Sequence, residues 1–247
     1  MSTTMMALAT SRVVLSPSVL SSCSSFTDAR LCARRLLSSF PSKHIPQKRP
    51  ARLLQVRAAR LESQPVPLAS RAPGFELPEP LTGRTWNLEE FEGHRALLVM
   101  FICNHCPFVV HLKMNLLKLA NDYIPKGVGI VAISSNSIKT HPQDGPDMMA
   151  KEAQQLGYPF PYLYDETQEI AKAYGAACTP DFFLYKKDGR RPFELVYHGQ
   201  FDDSRPGNGK PITGRDLRNA LDCILAGMPV STAQKPSIGC SIKWHPK

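Results

Sequence analysis

The chain has 247 residues, with 30 Lys or Arg, 21 Asp or Glu and a formal net charge of +9. Residues 1–58 hold nine of the basic groups and a single acid, Asp28, which leaves 21 basic and 20 acidic residues for the remainder. The positive charge is therefore a property of the leader and gives no argument for a nucleic-acid partner, and the apolar run Ala96–Ile102 is too short to span a membrane. The leader is rich in Ser and Arg, and Ser11 and Arg12 interrupt the apolar stretch Ala7–Leu15, so it lacks the continuous core of a secretory signal. Its composition predicts an organelle transit peptide over 1–58, processed near Val56-Arg57-Ala58-Ala59. The Ser-rich start favours the chloroplast, with the mitochondrion second, and the absence of a further apolar signal favours the stroma. About 190 residues remain, enough for one well-buried domain.

In chain order, 59–66 reads as a linker, 67–230 as the domain and 231–247 as a tail carrying Cys240. Phe75-Glu76-Leu77 predicts a short edge strand and Leu88–Phe91 one helical turn. Ala96–Ile102, apolar without alternation, predicts a strand buried on both faces. Val109, Leu112, Leu116, Leu119 and Tyr123 then form one helical stripe that Pro125 and Gly127 end. Gly129–Ile133 reads as a second buried strand, parallel to the first across a right-handed crossover. Asp144-Gly145-Pro146 opens a helix that Gly157 closes, and a short strand covers Tyr162–Tyr164. Asp165 with Gln168 predicts a capping box for a helix ending at Gly175. Asp181–Tyr185 and Phe193–His198 predict an antiparallel hairpin, and Leu217, Leu221, Ile224 and Leu225 a last helix.

The chemistry concentrates in Cys103-Asn104-His105-Cys106, between the first buried strand and its helix. Cysteines three apart in the first turn of a helix face one side and can close a small disulfide. Unpaired N–H groups and the positive end of the helix dipole there favour thiolate, and a protonated His105 adds to this. Five cysteines follow the leader (Cys103, Cys106, Cys178, Cys223 and Cys240), an odd number that argues against a static disulfide framework. A zinc site would need a second ligand pair, and none is visible; no metal and no cofactor are expected. Cys223 reads as core. Arg205 reads as a solvated charge in a polar loop.

Cys103-Asn104-His105-Cys106-Pro107, Cys178-Thr179-Pro180-Asp181-Phe182-Phe183, Gly199–Gly209 and Pro236–Trp244 together resemble the thioredoxin superfamily, in particular peroxiredoxin-like proteins of the redoxin (AhpC-TSA) type that carry a CxxC, in a plant organellar form. The resemblance implies an α/β thioredoxin-like fold, a central mixed sheet flanked by helices with a peroxiredoxin-type insertion. It implies a dithiol of Cys103 and Cys106 in which Cys103 attacks a partner disulfide and Cys106 resolves, with His105 stabilising the thiolate. It also implies a cis bond at Thr179-Pro180 whose Thr179 backbone pairs with a bound strand. Cys178 and Cys240 stand as accessory thiols. The partners so implied are protein disulfides and thiol reductants of the thioredoxin or glutathione type, with peroxides as an alternative substrate of Cys106, and neither nucleic acid nor membrane; a non-enzymatic metal- or partner-binding module is the third reading. The sequence departs from its relatives in two respects. The Thr and Pro that peroxiredoxins place three and seven residues before the reactive cysteine are Cys103 and Val99 here, and the buried Asp and the Trp of thioredoxins are Leu97 and Ile102.

Overall fold

The computed structural model describes residues 60–246; the expected transit peptide lies outside the described residues. Strand β1 (Arg60–Glu62) comes first, then an antiparallel pair, β2 (Glu76–Pro78) and β3 (Thr85–Asn87). Asn87 caps one 3-10 turn over Leu88–Phe91: its side chain accepts from the Glu90 amide while the Glu90 carboxylate accepts from the Asn87 amide, satisfying two otherwise unbonded N–H groups.

The apolar run becomes β4 (Ala96–Phe101), buried throughout. Ala96, Leu98 and Met100 enter one core and Leu97, Val99 and Phe101 the other, so neither face needs polar residues. Helix α1 (Pro107–Tyr123) buries the predicted stripe, and Pro107 occupies a first-turn position where its missing N–H costs nothing. Gly127, at φ 86°, ends the short 3-10 turn that follows. Strand β5 (Val128–Ser134) runs parallel to β4, completing a strand–helix–strand unit.

Helix α2 (Pro146–Leu156) is inserted before β6 (Tyr162–Tyr164), which lies parallel to β5. Helix α3 (Glu169–Tyr174), the two-residue β7 (Cys178–Thr179), the antiparallel pair β8 (Asp181–Lys186) and β9 (Glu194–Gly199), helix α4 (Arg215–Leu225) and β10 (Ile238–Ser241) complete the chain. The main sheet has the order β6-β5-β4-β8-β9, parallel on one side of β4 and antiparallel on the other. Residues of α1, α2 and α4 fill the core on one face; α3 and the β2–β3 region fill the other.

Three local expectations are corrected. Asp165 and Gln168 form no capping box: Gln168 is itself the N-cap and its side-chain amide donates to the carbonyls of Ser135 and Lys243, while Asp165 accepts from the Ser135 hydroxyl and, from before the N-cap, from the first-turn amide of Ala171. Cys223 sits half-buried at the edge of the α4 stripe, not within the core. Strands β1 and β10 form inside segments that read as linker and tail, because each supplies the other with a hydrogen-bonding edge: Arg60 pairs with Cys240 and Glu62 with Ile238.

Candidate functional site

The helix begins at Pro107, so Cys106 is the N-cap and Cys103 stands before the helix, in the loop that leaves β4. This places the two cysteines differently from a pair inside the first turn: only Cys106 faces the free N–H groups of α1. Both side chains are closed from solvent, Cys103 at 1% and Cys106 at 0% exposure. Thr179 bridges them. The Cys106 thiol donates to the Thr179 carbonyl at 3.1 Å, and Cys103 Sγ lies 3.5 Å from the Thr179 hydroxyl. The Thr179-Pro180 bond is cis.

His105 turns toward a carboxylate rather than toward sulfur. Its Nδ1 lies 2.5 Å from Asp144 Oδ2 and 4.0 Å from Cys103 Sγ. Asp144, fully buried, also accepts from the Asn104 and His105 amides and from Asn136 Nδ2. Nδ1 therefore donates to the Asp144 carboxylate, with the Cys103 sulfur as its more distant neighbour. His141 stacks on His105, ring centroids 4.8 Å apart. Tyr162 donates to the Asn104 side chain and Lys113 to the Asn104 carbonyl, fixing the loop between the two cysteines.

The acidities divide unequally. Cys103 is held well above the ordinary thiol range by its interaction with Cys106, by burial and by the negative charge of Asp144. Cys106 is drawn strongly down by the neighbouring thiols of Cys103 and Cys240 and by the N–H of Val109, although burial opposes this. Its own contact with the Thr179 carbonyl also opposes ionisation, since that oxygen can only accept. The two thiols act on each other, and the contact between them raises Cys103 and lowers Cys106.

The remaining candidates are also placed. Cys178 packs as a buried thiol near the Pro180 carbonyl at 3.7 Å, and burial and the charge of Asp181 raise it. Cys240, in contrast, reaches Cys106 from β10 and is itself raised by that neighbour and by burial. Arg205 is not a solvated charge: its guanidinium donates to the carbonyls of Asp202 and Ser204 and to the Gln200 side chain, tying its loop together. Asp144 and Asn136 were missed from sequence. In Asp144-Gly145-Pro146 the aspartate reads as a helix-opening residue, and no local signal says that it is buried beneath the cysteine loop.

Cys103, His105 and Asp144 bring donor atoms within 4.8 Å of one another. The carboxylate oxygens are already bonded by four protein donors and Nδ1 by the carboxylate, so the group is built as a hydrogen-bond hub. No helix among the described residues is long and apolar enough to cross a membrane.

A mixed sheet with two buried thiols at the junction of its central strand and the following helix, facing a cis-proline segment, defines a protein of the thioredoxin fold. Residues 68–190 match the AhpC/TSA family, and the chain belongs to it. Two solved structures are similar over nearly their whole length. An uncharacterized conserved protein from Geobacillus kaustophilus shares 55% identity with a TM-score of 0.73, covering 76% of this chain and 98% of that one. A hypothetical protein from Sinorhizobium meliloti shares 51% identity with a TM-score of 0.72, covering 75% and 99%. No curated protein matches the chain.

Proposed function

We propose that the protein is a thiol–disulfide oxidoreductase that cycles between a Cys103/Cys106 dithiol and the corresponding disulfide. The observation that carries this reading is the convergence of both sulfurs on Thr179. With the charge drawn to Cys106, the attack is written from that sulfur. The Cys106 thiolate displaces one sulfur of a partner disulfide, which leaves as a thiolate and takes the Cys103 proton. Cys103 then attacks the mixed disulfide at Cys106, closing the internal bond and releasing the partner's second thiolate; two electrons have moved from the pair to the partner. The carboxylate that Leu97 does not provide is supplied beside Cys103 by Asp144, with His105 as its proton-carrying neighbour. The partners are protein disulfides and thiol reductants of the thioredoxin or glutathione type.

The test is exchange with a disulfide-bonded reporter peptide. Cys106→Ser should lose exchange, and the double variant Cys103→Ser, Cys240→Ser should accumulate the mixed disulfide on Cys106. Undiminished exchange by Cys106→Ser would overturn the assignment.

A second reading, a thiol peroxidase, is favoured by the near-complete closure of both sulfurs, which admits a small oxidant more readily than a folded partner. Here the Cys106 thiolate takes the terminal oxygen of a peroxide, becoming a sulfenic acid as the alcohol or water leaves; Cys103 then condenses with it, releasing water and forming the disulfide. Rapid mixing of the reduced protein with stoichiometric hydrogen peroxide separates the two. Loss of the Cys106 thiol far faster than that of a free thiol favours peroxide, and loss no faster leaves disulfides as the substrate.

A further inference from the structure

Strand β10 occupies the edge of Thr179 that a partner strand would need. It pairs antiparallel with β7, Cys240 opposite Thr179 and Ser241 opposite Cys178, while β1 covers its other edge. It is fastened at both ends. Ser237 exchanges hydrogen bonds with Ser63 and donates to the Gly199 carbonyl, and the Ile242 amide donates to the Ala177 carbonyl at 3.1 Å. Close approach depends on Gly239, where any Cβ would overlap the Thr179 carbonyl oxygen. That oxygen is the one that receives the Cys106 thiol at 3.1 Å. A single carbonyl thus brings β10 and the helix start together. Cys240, 2% exposed, shares one buried cluster with Cys103 and Cys106.

We propose that Cys240 is an internal exchange thiol for Cys106, carried on a strand of the chain itself that takes the place of a bound partner. This rests on the reading of Cys103 and Cys106 as an exchanging dithiol. Once a disulfide-class oxidant has closed Cys103–Cys106, the Cys240 thiolate attacks the Cys106 sulfur. The Cys106–Cys240 bond forms as the Cys103–Cys106 bond breaks, the electron pair leaves on Cys103, and Cys103 takes up the proton that Cys240 released. The step is redox-neutral. It locks β10 covalently to the start of α1 and returns Cys103 as a free thiol. When Cys106 carries a mixed disulfide with a small thiol, the same attack expels that thiol.

The test uses the full chain, reduced, treated with glutathione disulfide, alkylated and mapped by mass spectrometry without reduction. In Cys103→Ser the expected product is a Cys106–Cys240 linked peptide with glutathione released. Glutathione retained on Cys106 beside an alkylated Cys240 would overturn the proposal. The unsubstituted chain at limiting oxidant should give the same linked peptide, so the result does not depend on the folding of a variant. Cys240→Ala should lose that peptide and keep Cys103–Cys106. Absence of Cys103–Cys106 in both Cys240→Ala and the unsubstituted chain would count against the dithiol reading itself, whereas absence of the Cys106–Cys240 link alone counts against this one.

Discussion

A carboxylate closed from solvent is stable as an anion only when donors fill its lone pairs, and Asp144 receives the amides of Asn104 and His105, the Asn136 side chain and His105 Nδ1. Burial alone would raise its pKa, but the bonds from His105 and Asn136 outweigh it and hold the folded value below the ordinary one. A depressed folded pKa contributes stability that is present above the ordinary aspartate range and is lost as the pH falls from there through the folded value. Asp144→Asn should therefore flatten the acid side of the stability profile, measured as the denaturant midpoint against pH. The same substitution removes a charge that raises Cys103, so alkylation of the Cys103 thiol should move to lower pH. A profile that does not move would remove Asp144 from the account of Cys103. The two cysteines were legible from their spacing after an apolar run. The carboxylate that adds to the rise already imposed on Cys103 by Cys106 and by burial was not, because Asp144 is distant in sequence and its neighbours Gly145 and Pro146 give a sufficient local reason for it.

Among the elements, the long amphipathic helix, the buried parallel pair and the hairpin follow from periodicity and turn residues, since each declares its buried face within its own sequence. Strand β10 declares nothing. Its four residues acquire a conformation only by pairing with β1 on one side and β7 on the other. The residues beyond it reach the site indirectly: the Lys243 amide donates to Asn136 Oδ1, and Asn136 in turn donates to Asp144. Gly239→Ala should force β10 away from Thr179, at a cost of about 1–3 kcal/mol as for other overpacked positions. Thermal unfolding measures the cost, and alkylation of Cys240 in the folded protein should accelerate. Unchanged protection of Cys240 would mean that the strand tolerates the extra carbon by a shift elsewhere.

For the molecule as a whole, residues 1–58 carry nearly all of the excess positive charge, and the cysteine pair lies in the folded part. We propose import into the chloroplast stroma, supported by the Ser- and Arg-rich, acid-poor composition of residues 1–58. A fluorescent protein carrying residues 1–58 should enter the stroma; mitochondrial or cytosolic signal would overturn that address. The sequence by itself determined the order of the main-sheet strands and of the helices, the two-faced burial of β4 and the position of the Cys pair at its end, because these depend on hydrophobic periodicity and on turn residues close in the chain. Only the tertiary structure decided that Asp144 lies beneath the cysteine loop, that Cys106 rather than Cys103 takes the N-cap of α1, and that the C-terminal strand fills the Thr179 edge and brings Cys240 to the pair. Burial, proton sharing and edge pairing are properties of groups brought together from far along the chain, and no local pattern records them.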